Sequence, residues 1–148
     1  MATDTDSTGA LCVRTLGDAL GIGLELLDLF ADEGGCCAVW LGDADGHELD
    51  FVLCTDDRGR DVDRLLRYAA LGAAVIDDVA SAVLWRTVDD ITDGWTLTED
   101  FFAHRNHLAA YGLPLVDEIA LCGEELRSLA VTSFSDREGW DDVTEWPG

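Results

Sequence analysis

Apolar residues between 11 and 30 recur mostly at three- and four-residue steps (Leu16, Ala19, Leu20, Leu24, Leu27 and Phe30), the period of a helix with one buried face. Thr15 and Asp18 stand near its start, as N-terminal signals should. Gly17, Gly21 and Gly23 each weaken such a helix by up to about 1 kcal/mol, so packing must hold it, and the pair Gly34 and Gly35 is expected to end it. Residues 37–41 and 48–53 are apolar and strand-like. The Asp-Ala-Asp-Gly of 43–46 joins them, and Asp-Gly between two apolar runs signals a hairpin. From 61 to 74 the helical period returns in Val62, Leu65, Leu66, Ala69 and Ala73, with Asp61 and Asp63 suiting the positive end of the helix dipole. Residues 79–85 predict a third strand and 89–94 a turn. Thr96 and Glu99 have capping-box spacing, and Thr98 is an equally good cap, for a helix bearing Phe101, Phe102, Leu108 and Tyr111. That helix should stop at Gly112, before Pro114. Residues 115–121 and 126–133 are strand-like, joined around Gly123.

Helix, hairpin, helix, strand, helix and two further strands describe an α/β sandwich, in two or three layers, with a mixed sheet flanked by helices. The 148 residues suit one domain that buries about two thirds of its unfolded surface. Residues 1–10 are expected to be a loose tail, 11–134 the domain, and 135–148 an acidic tail containing Trp140 and Trp146.

Charge changes the picture. Thirty-one acidic residues face nine basic ones, all arginine, for a net charge of -22, while 48% apolar content keeps the chain in the globular class. Such a body repels nucleic-acid phosphates, so direct nucleic-acid binding is not expected. A halophilic or high-GC prokaryotic cytoplasm accounts for the acidity, because at molar salt the screening length falls to about 3 Å. The sharper alternative is a decoy that imitates phosphates in a partner's basic groove. Five cysteines (Cys12, Cys36, Cys37, Cys54, Cys122) lack a Cys-x-x-Cys spacing and suit small buried hydrophobes in a reducing compartment. Cys36 and Cys37, adjacent on a strand, should face opposite ways. No apolar run is long enough to span a bilayer.

Three segments carry a resemblance. The first is the hairpin 38–53, with its acidic turn and return strand. The second is 62–74, Val-Asp-Arg-Leu-Leu-Arg-Tyr-Ala-Ala-Leu-Gly-Ala-Ala. The third is 112–123, Gly-Leu-Pro-Leu-Val-Asp-Glu-Ile-Ala-Leu-Cys-Gly. In order and spacing over 29–131 they resemble the RadC-type JAB domain, which implies a cytidine-deaminase-like or JAB-like sandwich. In that family the third strand runs into a His-x-His-Pro-Ser-Gly metal motif; the matching place here, 86–94, reads Arg-Thr-Val-Asp-Asp-Ile-Thr-Asp-Gly, without histidine. Asp117 matches the family's aspartate, and Glu118 stands where its histidine usually is. The resemblance therefore implies a metalloenzyme scaffold without metal.

Candidate chemistry is sparse. Zinc hydrolysis needs three protein ligands and an open position. Of the histidines, His47 lies beside the hairpin turn as a solvated residue, while His104 and His107 share a helix face with Asp100 four residues before His104. Asp100, His104 and His107 are the candidate metal ligands, against the simpler view that they form the helix's polar outer face. No nucleophile elbow, phosphate loop or distinguishable carboxylate pair is present. Trp140 and Trp146 are the candidate partner-binding residues, either docking on a partner or tucking back onto the domain. Trp40 and Trp85 are expected in the core. The sequence thus points to a non-catalytic, cofactor-free cytoplasmic domain acting through a protein partner or a homo-oligomer, for which a sheet edge is a candidate contact. An unorthodox hydrolase built on Asp100, His104 and His107 is its rival, beside the phosphate mimic.

Overall fold

The computed structural model describes residues 12–30, 35–54 and 62–130. Thr15 opens α1 (Leu16–Leu29) with a reciprocal cap: its hydroxyl accepts from the Asp18 N–H at 3.1 Å, and the Asp18 carboxylate accepts from the Thr15 N–H at 3.2 Å. The helix tolerates its glycines because it lies on the sheet. A Cβ at Gly23 would come within 3.2 Å of Leu126 and 3.5 Å of Leu121 and Trp85. It ends at Phe30, ahead of the glycine pair.

Five strands form one mixed sheet in the order β2-β1-β3-β4-β5. The Asp-Gly hairpin joins β1 (Cys37–Gly42) to β2 (Glu48–Cys54), with Gly46 at φ 85° in the turn. On its other side β1 pairs antiparallel with β3 (Ser81–Thr87), the central strand. β3 runs parallel to β4 (Leu115–Cys122), and β5 (Glu125–Ser128) returns antiparallel through Gly123 at φ 63°. Between the strands lie α2 (Val62–Val75) and α3 (Gly94–Ala109).

The sandwich has three layers. On one face, Val39, Leu41 and Leu84 pack with Leu65 of α2 and with Phe101 and Leu108 of α3. On the other, Trp40, Trp85 and Ile119 pack with Leu16, Ala19 and Leu26 of α1. Trp85 donates its indole N–H to the Ala19 carbonyl at 2.9 Å, which satisfies its polar atom inside the core. Cys36 joins the α1 core and Cys37 the opposite one, as strand alternation requires.

Boundaries of β3, α3 and β5 differ from the sequence pattern. β3 starts at Ser81 rather than 79 and continues through Arg86 and Thr87, because both still find ladder partners: Arg86 opposes Cys37 on one side and Ala120 on the other. The α3 cap is Asp93, not Thr96 or Thr98. Its carboxylate accepts from the Thr96 N–H at 3.2 Å, so the helix opens at Gly94 and Thr96 falls in its first turn. β5 ends at Ser128 and the backbone is helical at Leu129 and Ala130, where a strand was expected. The cause is Asp117, fully buried, which accepts from the Ala130 N–H at 2.9 Å, the Glu118 N–H at 2.7 Å and the Ser128 hydroxyl. Tyr111, expected on α3, lies just past its end and is exposed. Among the described residues no helix is long and apolar enough to cross a membrane.

Candidate functional site

Glu118 lies in the middle of an apolar strand with none of its surface exposed. It faces α3 because β4 carries a bulge. Ala82 opposes Leu115 but Val83 opposes Asp117, so Val116 is an extra residue in the register. Leu115 and Glu118, three apart, thereby share the face that carries α2 and α3, while Asp117 turns the opposite way.

Four ionisable side chains meet at this point. Arg86, projecting from the end of β3 on the same face, donates Nε–H to Oε2 of Glu118. Its Nη2 donates to Oδ2 of Asp100 on α3 at 2.9 Å. One helical turn on, His104 places Nδ1 2.6 Å from Oε1 of Glu118. The Arg86 and His104 side chains are only 13% and 16% exposed, whereas Asp100, at 42%, forms the wet rim. Burial by itself pushes the Arg86 guanidinium toward the neutral form. The charges and hydrogen bonds of Glu118, and then of Asp100, outweigh it and hold its pKa above the ordinary arginine value.

An imidazole oriented by a carboxylate is the geometry of acid–base catalysis. Here, however, both oxygens of Glu118 are already engaged, one by a fixed guanidinium. Every fully enclosed side-chain nitrogen or oxygen among the described residues has a hydrogen-bond partner. The cluster therefore ties β3, β4 and α3 together, with none of its fully enclosed polar atoms left unpaired.

Of the sequence candidates, Asp100 and His104 come together in this cluster through Arg86 and Glu118. His107 does not; it is exposed and its ring lies 5.7 Å from that of Tyr111. Trp140 and Trp146 lie outside the described residues. Arg86 and Glu118 were not singled out for chemistry from the sequence. The available signal was Asp117 and Glu118, two adjacent acids interrupting an otherwise apolar strand.

Two other places bring polar groups or open space together. Asp43, Asp45 and His47, on the hairpin turn, hold their ligand atoms within 4.8 Å of one another. Oδ1 of Asp43 accepts from the backbone N–H groups of Asp45 and His47, both at 2.9 Å, and Nη2 of Arg14 lies 3.2 Å from Nε2 of His47. The Asp43 carboxyl is held below its usual pKa, chiefly by the His47 N–H. This is the hydrogen bonding of a locked turn with a cation already against it. Separately, a cavity of about 470 Å³ opens at the C-terminal ends of β3 and β4 on the α1 side, lined by Leu26, Phe30, Cys36, Thr87, Val88 and Leu121 among others. It contains no member of the buried cluster. Burial pushes the Cys36 thiol up in pKa despite its contact with Thr87, the opposite of what a thiolate nucleophile needs.

Compared with known proteins, the chain matches no family model and no curated protein sequence.

Proposed function

We propose that this chain is a non-catalytic, metal-free α/β domain of the JAB/RadC type that works through protein–protein interaction in the cytoplasm of a halophilic or high-GC prokaryote. The observation that carries the proposal is Arg86. It stands where the resemblance places the start of a histidine metal motif, and its guanidinium lies between Glu118 and Asp100. A permanent cation in that position supplies the positive charge that a metal would otherwise bring, and it repels a second cation. The net charge of -22 favours protein partners over nucleic acid.

Zinc analysis tests this. Protein purified without chelator should carry no stoichiometric zinc, and added zinc should leave its unfolding midpoint unchanged. One zinc per chain, with a raised midpoint that disappears in Asp100→Ala or His104→Ala, would sink the proposal and favour the hydrolase alternative.

A further inference from the structure

We infer that the cavity at the C-terminal ends of β3 and β4 binds a small organic cation, an amine or guanidine carried on an apolar body. The cavity holds about 470 Å³, within the range of roughly 300–1,000 Å³ that small-molecule sites occupy. It opens where the two parallel strands end, the place at which α/β sheets receive their ligands. Its lining is graded by burial. Leu26, Cys36 and Leu121, each at most 5% exposed, form the floor. Leu27, Phe30 and Val88 are half-buried and form the walls, so an apolar body entering the cavity meets apolar surface on several sides.

Charge decides which class of ligand fits. Among the described residues lining the cavity there is no arginine and no histidine. Two acids, Asp89 and Glu124, are exposed and stand at the mouth. Neither carboxylate has a hydrogen-bond or ion-pair partner among the described residues; the Cys122 thiol meets only the backbone carbonyl of Asp89. The end of α1 adds to them. Leu26 and Leu27 belong to its last turn and Phe30 is its C-cap, and that turn holds no basic residue. The negative end of the helix dipole therefore stands unopposed at the cavity wall. Two free carboxylates and a helix C-terminus repel phosphates, nucleotides and fatty acids alike. A small hydrated cation, in turn, gains nothing from the dry floor of Leu26 and Leu121. A molecule with an apolar body for that floor and a cationic end for Asp89 and Glu124 satisfies both. This goes beyond the interaction reading above and does not depend on it.

Amide NMR titration of the full chain with phenethylamine tests the inference, at about 0.15 M salt, where the screening length is about 8 Å. Binding should saturate with a dissociation constant of about 1 mM or tighter, and the shifts should centre on Leu26, Phe30, Val88 and Leu121. Three controls divide the ligand into its parts. Phenethyl alcohol keeps the body without the charge, methylamine keeps the charge without the body, and hydrocinnamate reverses the charge. Each should bind at least about fivefold more weakly than the amine. Asp89→Asn with Glu124→Gln, at two exposed side chains that hold nothing in the fold, should weaken the amine about fivefold and leave the alcohol unchanged. The absence of saturable phenethylamine binding, or shifts centred elsewhere, overturns the inference. So does equal binding of any control, or an amine affinity indifferent to the paired variant. None of these outcomes touches the metal-free reading, which stands or falls on zinc.

Discussion

His104 of α3 and Glu118 of β4 are joined at 2.6 Å, nitrogen to oxygen, through a carboxylate with no exposed surface. The other oxygen of Glu118 accepts from Arg86, so helix and two parallel strands meet on one buried charge. A charge held this way is stable as a set, and removing one member strands the others.

Arg86→Ala, which leaves the buried Glu118 carboxylate without its guanidinium, should destabilise the fold by about 3–5 kcal/mol, and Glu118→Ala should cost less because Arg86 keeps Asp100. The paired change Arg86→Met with Glu118→Leu should cost far less, since no charge then remains at the centre. Urea unfolding of the three variants measures the difference; equal losses in single and paired variants would contradict the account.

Two glycines should respond oppositely to alanine. A Cβ at Gly42 would overlap the indole of Trp40, which is itself buried in the core. Gly42→Ala should therefore cost about 1–3 kcal/mol through forced repacking. At Gly21, inside α1, nothing lies within 4 Å of such a Cβ. Gly21→Ala should stabilise by up to about 1 kcal/mol from helix propensity. Thermal unfolding of the two variants reads both signs.

Tyr68 predicts an alkaline dependence. Its hydroxyl donates to Asp50 on β2, and that bond, then burial and the carboxylate's charge, hold its pKa above 10.0. A raised folded-state value means that its contribution to stability is complete below the unfolded pKa of about 10 and is lost as pH rises through the folded value. Tyr68→Phe should lack that alkaline loss, and Asp50→Asn should bring the phenolate absorbance transition back toward lower pH. An unchanged transition in Asp50→Asn would exclude the cause given.

Salt should stabilise the protein. Exposed acids are distributed over α1 (Glu25, Asp28), the β3–α3 connection (Asp89, Asp90, Asp93) and α3 (Glu99), within a net charge of -22. Their mutual repulsion weakens as the screening length falls to about 3 Å at 1 M salt. The unfolding midpoint should rise steadily from low to molar salt; a flat response would mean that the acidity carries no such strain.

Local features were legible in the chain. Thr15 and Asp18 are three residues apart and cap one another whatever surrounds them, so the start of α1 could be read directly. The stripe of Val62, Leu65, Leu66 and Ala69 marked α2 because its period is that of a helix. Asp-Gly at 45–46 marked the β1–β2 hairpin, since few residues accept the φ of 85° that Gly46 adopts. Where two local signals competed, local reasoning failed. Thr96 and Thr98 both read as caps of α3, yet the carboxylate of Asp93 takes the Thr96 N–H and opens the helix earlier.

The long-range features were not legible. Whether Ser128 continues as strand depended on Asp117, eleven residues earlier, reaching the Ala130 N–H. Which acids meet Arg86 depended on the parallel pairing of β3 with β4 and on one extra residue, Val116, in its register. A one-residue shift turns every side chain of a strand to the other face, so pattern along the chain cannot say which way Glu118 points. The helices and the hairpin are products of neighbours within about four residues and are legible along the chain, as the acidity is in its composition. The buried cluster of Arg86, Asp100, His104 and Glu118 is not, because strand register rather than spacing brings its members together.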